Sequence, residues 1–133
     1  MNFIKLQING ENLNLDLLTE RIGITPTFIC RKGDTNNVIG NIDVTAVNDT
    51  WVYAFETEEL SEKSIKEFVE KFSMCSGLFE ELRIQGVIPY LVITPYIKNY
   101  QTFFSIPHKL VLLIAQLNLE LCFDIMYVED LCS

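Results

Sequence analysis

Apolar residues recur with a period of two at both ends of the chain and with a helical period of about 3.6 in between, and these two periods predict its elements. In the opening segment Ile4, Leu6 and Ile8 alternate with Lys5 and Gln7 before Asn9-Gly10, the pattern of a strand buried on one side and closed by a turn. Leu15, Leu18 and Ile22 then recur at helical spacing. Asn14 is placed to cap the free amides, Leu13 and Leu18 stand at the staple positions, and Gly23 can take the left-handed stop. Thr25-Pro26-Thr27 forces an extended chain that Phe28 to Lys32 continue as a second strand, and the polar stretch from Gly33-Asp34 through Asn41 reads as a loop. Within Asp43 to Glu56, Trp51, Tyr53 and Phe55 alternate with Val52, Ala54 and Glu56, which predicts a third strand with room for a short paired arm before it. Its three rings read as core packing.

The strongest helical signal runs from Glu62 to Met74. Ile65, Phe68, Val69 and Phe72 form an apolar stripe, the pairs Lys63/Glu67, Lys66/Glu70 and Glu67/Lys71 lie on the wet face, Ser61 caps the start, and Leu60 and Ile65 are placed as a staple. Gly77 is expected to break this helix, and a further helical stretch through Leu78, Phe79, Leu82 and Ile84 leads to Gly86. Val87 to Lys98 reads as a long β segment whose two prolines, Pro89 and Pro95, suit an edge or bulged strand. Ser105 and Pro107 open a last helix carrying Leu110, Leu113, Ile114 and Leu117, which Asn118 ends. Leu119, Leu121, Phe123, Ile125 and Tyr127 then alternate with polar and smaller residues as a closing strand. Leu121, Phe123 and Ile125 are expected to pack on the stripe of Ile65, Phe68, Val69 and Phe72, so that Phe123→Ala would cost about 3–5 kcal/mol, and Asp124, on the opposite face, is expected to matter far less.

Short amphipathic helices among strands of alternating polarity predict an α+β fold: one globular domain over residues 1–133, with a mostly antiparallel sheet of about five strands and helices on one face. The segments Leu13 to Phe28 and Ser105 to Phe123 share a design of helix, stop residue and strand.

Composition narrows the class. Of 133 residues, 49% are apolar and 21% charged, which excludes a disordered chain. A formal charge of -8 repels phosphate backbones and anionic lipid, so nucleic acid and membrane surfaces are not expected as partners; the same field would steer a basic protein partner inward, although such a charge more often serves solubility. No apolar run is long enough to span a bilayer and no secretion leader is evident at the amino terminus, so the expected location is the cytoplasm. Four separated cysteines, Cys30, Cys75, Cys122 and Cys132, fit free thiols in that compartment, and with a single histidine they make no zinc pattern.

Chemistry by motif is absent. His108, in the first turn of the last predicted helix, has no cysteine or acidic cluster near it in sequence; the six glycines occur singly and form no phosphate loop; Glu58-Glu59 and Glu80-Glu81 are neighbours that diverge on a helix. No catalytic, cofactor-binding or metal-binding residue is therefore expected. Tyr90, Tyr96 and Tyr100, with Phe103 and Phe104 nearby, are the candidate interaction surface, because tyrosine is enriched at protein interfaces.

The opening strand ending in Asn9-Gly10, the run Leu17 and Ile22-Gly23-Ile24-Thr25-Pro26-Thr27, then Lys32-Gly33-Asp34, Trp51 opening a strand, and the closing Leu121 to Tyr127 with Asp124 together resemble the DUF4279 family of bacterial domains. Met126 stands where the family pattern places a tyrosine. The resemblance implies a small standalone α+β domain and brings neither an activity nor catalytic residues. Two functions follow as expectations: a non-enzymatic protein-binding domain of the immunity type that neutralises a basic toxin, or a small-molecule-binding or enzymatic domain using Asp124, Glu56 or His108 in a pocket between sheet and helices. Self-association through the proline-containing strand is a third expectation.

Overall fold

The computed structural model describes residues 2–39, 42–97 and 105–127. In chain order these form β1 (Asn2–Gly10), α1 (Leu15–Ile22), β2 (Phe28–Cys30), β3 (Thr35–Ile39), β4 (Ile42–Thr45), β5 (Asp49–Thr57), α2 (Glu62–Glu70), a 3-10 turn (Ser73–Cys75), α3 (Ser76–Ile84), β6 (Pro89–Thr94), β7 (Tyr96–Ile97), α4 (His108–Gln116), β8 (Glu120–Phe123) and β9 (Met126–Tyr127). The main sheet has five strands in the order β2-β5-β1-β6-β8. All its pairings are antiparallel except the parallel one between β6 and β8, so the fold is α+β with a mostly antiparallel sheet.

The alternation in β1 sets the layers. Ile4, Leu6 and Ile8 are fully buried, and the register aligns Leu6 with Tyr53 and Leu91, and Ile8 with Trp51 and Pro89. The helices cover this face with Leu15, Leu18 and Ile22 of α1, Ile65, Phe68 and Val69 of α2, Leu78, Phe79 and Leu82 of α3, and Leu110 and Ile114 of α4. Trp51 is buried whole, and its indole N–H donates to the Thr19 hydroxyl at 3.0 Å, which satisfies the ring's one polar atom and ties α1 to β5. Tyr53 stacks on Phe68 at 5.7 Å and meets Phe72 edge-on at 6.0 Å.

Local rules hold at most helix ends. The Asn14 side chain accepts from the Leu17 amide, Gly23 ends α1 at φ 81°, Ser61 and Ser64 form a reciprocal capping box on α2, and Asn118 takes the left-handed conformation at φ 62° after α4.

Five expectations need correction. The closing strand stops at Phe123: Leu121 is half-buried against the core, but Phe123 is 45% exposed and Ile125 60% exposed, because β8 is the edge of the sheet and the chain leaves it at Asp124 before β9 pairs with β7. The stripe of α2 is instead met by Tyr53. The proline-containing segment is no edge either, since β6 is paired by β1 and β8 on its two sides. Pro89 is its first residue and Pro95 follows its last, so the prolines bracket the strand and remove no interior ladder bond. The stretch read as a loop through Asn41 contains β3, which pairs with β4 as a two-stranded arm. Gly77 lies inside α3, and α2 stops at Glu70 through the 3-10 turn. Lys63 and Lys66 do pair with Glu67 and Glu70, but Lys71 leaves Glu67 to sit 5.5 Å from the Tyr53 ring and 5.2 Å from the Phe55 ring.

Burial thus ranks the aromatic residues differently from alternation alone. Phe68→Ala is expected to cost about 3–5 kcal/mol by lost burial and a residual cavity, and Phe123→Ala about 1 kcal/mol because nearly half of that side chain is already in water. Urea midpoints of the two variants check this; equal losses would contradict it.

Candidate functional site

Residues that β1 does not send to the core emerge on the other side of the sheet, which the helices do not cover. Gln7 of β1 aligns with Tyr90 of β6, and Tyr90 with Glu120 of β8; one row on, Lys5 aligns with Val92, and Val92 with Cys122. A groove of about 470 Å³ runs over this face, lined by Gln7, Asn9, Tyr90, Val92, Cys122, Phe123 and Asp124. Asp124 is held at its rim by the bond from its backbone N–H to the Ile93 carbonyl at 3.0 Å. The Gln7 side-chain amide donates to Asn9 Oδ1 at 3.3 Å. Asp124 is the one charged side chain among the described residues lining the groove. The cation nearest along β1, Lys5, lies 5.4 Å from the ring of Phe3.

A second cleft, of about 220 Å³, lies between α1 and α3 and is lined by Leu17, Leu18, Leu78 and Leu82 with Asn12, Asn14 and Gln85. Arg21 and Glu81 bridge it at 2.6 Å, and the guanidinium's hydrogen bond holds the Glu81 carboxyl below its ordinary range. Both side chains are solvated, so the pair contributes little stability.

The buried carboxylate belongs to Asp49, 8% exposed at the start of β5. One of its oxygens accepts the Lys32 amide and the other the Leu13 amide, each at 2.8 Å, which joins the loop before α1 to the turn after β2. The bond from Lys32 is the main cause that lowers its pKa, opposed by burial and helped by the bond from Leu13. With both oxygens committed to backbone amides, Asp49 is an anchor and no general base. The Cys75 thiol is pushed up by burial, away from the thiolate form that attacks electrophiles. Cys30 is buried with its Sγ 3.8 Å from the Arg31 carbonyl, and the Cys122 thiol is exposed. Cys132 is outside the described residues.

Of the interaction residues named from sequence, Tyr90 lies in the open-face groove. Tyr96 lies beyond Pro95 in β7, its amide bonded to Asn2 Oδ1 at 2.8 Å, and Tyr100, with Phe103 and Phe104, is outside the described residues. Asp124 lines the groove, whereas Glu56 and His108 are exposed and line neither cleft. Gln7 and Asn9 are the groove residues that motif reasoning missed; their signal was the odd parity of β1, opposite to Ile4, Leu6 and Ile8. Among the described residues no cluster of His, Cys, Asp and Glu is placed to hold a metal ion, and no helix is long and apolar enough to cross a membrane.

A family model described as "Domain of unknown function (DUF4279)" matches residues 2–128. No curated protein and no solved structure matches the chain.

Asp49 makes stability depend on pH with a definite sign. Its folded carboxyl titrates below the ordinary 3.8, so the unfolded chain takes up the proton first, and the stabilisation is complete above that value and fades as pH falls through it. Asp49→Asn is expected to be less stable at neutral pH and to lose less on acidification from about pH 5 to pH 3, measured by urea unfolding at each pH. An unchanged acid slope would remove Asp49 from this role.

Proposed function

The chain belongs to the DUF4279 family, and on that footing we propose that it is a non-enzymatic, cytoplasmic, bacterial protein-binding domain of the immunity type, which neutralises a basic toxin through the uncovered face of its sheet. The groove lined by Tyr90 carries this reading: an aromatic residue and a carboxylate that no described residue bonds both line it, on a face that none of the described helices covers. The charge of -8 acts in the same direction, since it speeds encounter with a basic surface, and five of the described cations are already matched by surface acids. Glu120, aligned with Tyr90 in register, adds a second acidic group on the same face of the sheet.

A second reading, a small-molecule-binding domain, is favoured by the cleft between α1 and α3, whose leucine walls and amide rim suit a small ligand. A thermal-shift panel of metabolites and metals separates the two, because a saturating ligand raises the unfolding temperature by mass action.

The test of the main reading is calorimetry with a basic, toxin-like protein encoded beside this chain's gene. Binding is expected at about micromolar Kd or tighter, weakened roughly tenfold or more by Tyr90→Ala and by Asp124→Lys. Absence of binding at micromolar concentrations in low salt would contradict it.

A further inference from the structure

We propose that the cleft between α1 and α3 receives one free apolar α-amino acid, bound as its zwitterion; this rests on the small-molecule reading of that cleft and not on the open face of the sheet. The two helices bring charge and apolar wall together by their own spacing. Leu17 and Leu18 stand four and three residues before Arg21 on α1, and Leu78 stands three before Glu81 on α3. Residues three or four apart are neighbours on a helix surface, about 5–6 Å between Cβ atoms, so each charged side chain has leucine beside it. Leu18, Leu78 and Leu82 belong to the core and form the floor, while Leu17 is left 46% exposed at the side.

The contact between Arg21 and Glu81 uses one nitrogen and one oxygen, Nη1 and Oε2 at 2.6 Å, and neither side chain bonds any other described residue. A guanidinium has five donors and a carboxylate two acceptor oxygens, so both keep bonding capacity facing solvent at the cleft. These two are the charged residues of the lining, and their charges cancel. A ligand carboxylate alone would meet Glu81, and a ligand ammonium alone would meet Arg21. An α-amino acid carries its ammonium on the carbon next to its carboxylate, which gives each protein charge an opposite partner and leaves the balance unchanged. Its apolar side chain then lies on the leucines and removes Leu17 from water. The volume of about 220 Å³ is below the roughly 300–1,000 Å³ of sites for drug-sized ligands, which suits one such molecule. A leucine side chain projecting from a protein partner has neither charge, and a peptide terminus has one of the two.

The probe is L-leucine, titrated to about 10 mM into the isotope-labelled full chain and followed by amide NMR. Saturable shifts confined to the cleft, at Leu17, Arg21, Glu81, Leu82 and Gln85, are expected. Isocaproate, which lacks the ammonium, and isoamylamine, which lacks the carboxylate, should each bind roughly tenfold more weakly or worse. Glycine, which lacks the apolar side chain, should give no localised shift. Arg21→Gln and Glu81→Gln should each weaken leucine binding about tenfold, and both should unfold near the parent's urea midpoint because the pair is solvated. Absence of localised shifts with leucine, or equal binding of N-acetyl-leucine amide, which carries neither charge, overturns the assignment. If leucine fails while another metabolite of the thermal-shift panel shifts the same resonances, the amino-acid assignment falls and the small-molecule reading stands; if no compound does, both fall.

Discussion

The period-two alternation of β1 is the constraint on which the rest of the molecule depends. Because Ile4, Leu6 and Ile8 must leave water together, the central strand has one dry face, and the strands paired to it present Trp51, Tyr53, Leu91 and Ile93 on that same side. Four helices then close over it. The same parity sends Phe3, Lys5, Gln7 and Asn9 to the other side. The groove is therefore a geometric consequence of the core, and a one-residue slip in β1 would destroy both at once.

The two outer strands follow from a shared design. α1 leads through Gly23 to β2 at one edge of the sheet, and α4 leads through Asn118 to β8 at the other. An edge strand has one neighbour to pack against, which is why Phe28 and Ile29 of β2 and Phe123 of β8 keep much of their surface in water. Asp49 secures the first of these edges by tying the turn after β2 to the loop before α1, so that the one buried carboxylate among the described residues is spent on architecture.

Wherever the determinant was local, the sequence was legible. The caps at Asn14 and Ser61, the left-handed stops at Gly23 and Asn118, the stripe of α2 and the fold class all follow from neighbours within a few positions. What alternation cannot supply is the position of a strand in the sheet. Phe123 and Ile125 alternate as cleanly as Leu6 and Ile8, yet β1 has two neighbours whereas β8 has one and ends before Ile125, and these differences decide burial. Pro89 and Pro95 suggested an edge because their effect depends on whether they stand inside a strand or at its ends. The site was half legible for the same reason: Tyr90 and Asp124 could be named individually, but Gln7 and Asn9 join them only because β6 pairs with β1 and with β8.

Two neighbouring residues of β1 test the division of the sheet into a core face and an open face. In urea unfolding, Leu6→Ala should lose about 2–5 kcal/mol as a fully buried leucine does, while Gln7→Ala should stay within about 0.5 kcal/mol of the parent chain. Similar losses from both would contradict the claim that the strand's parity divides its side chains between the core and the open face.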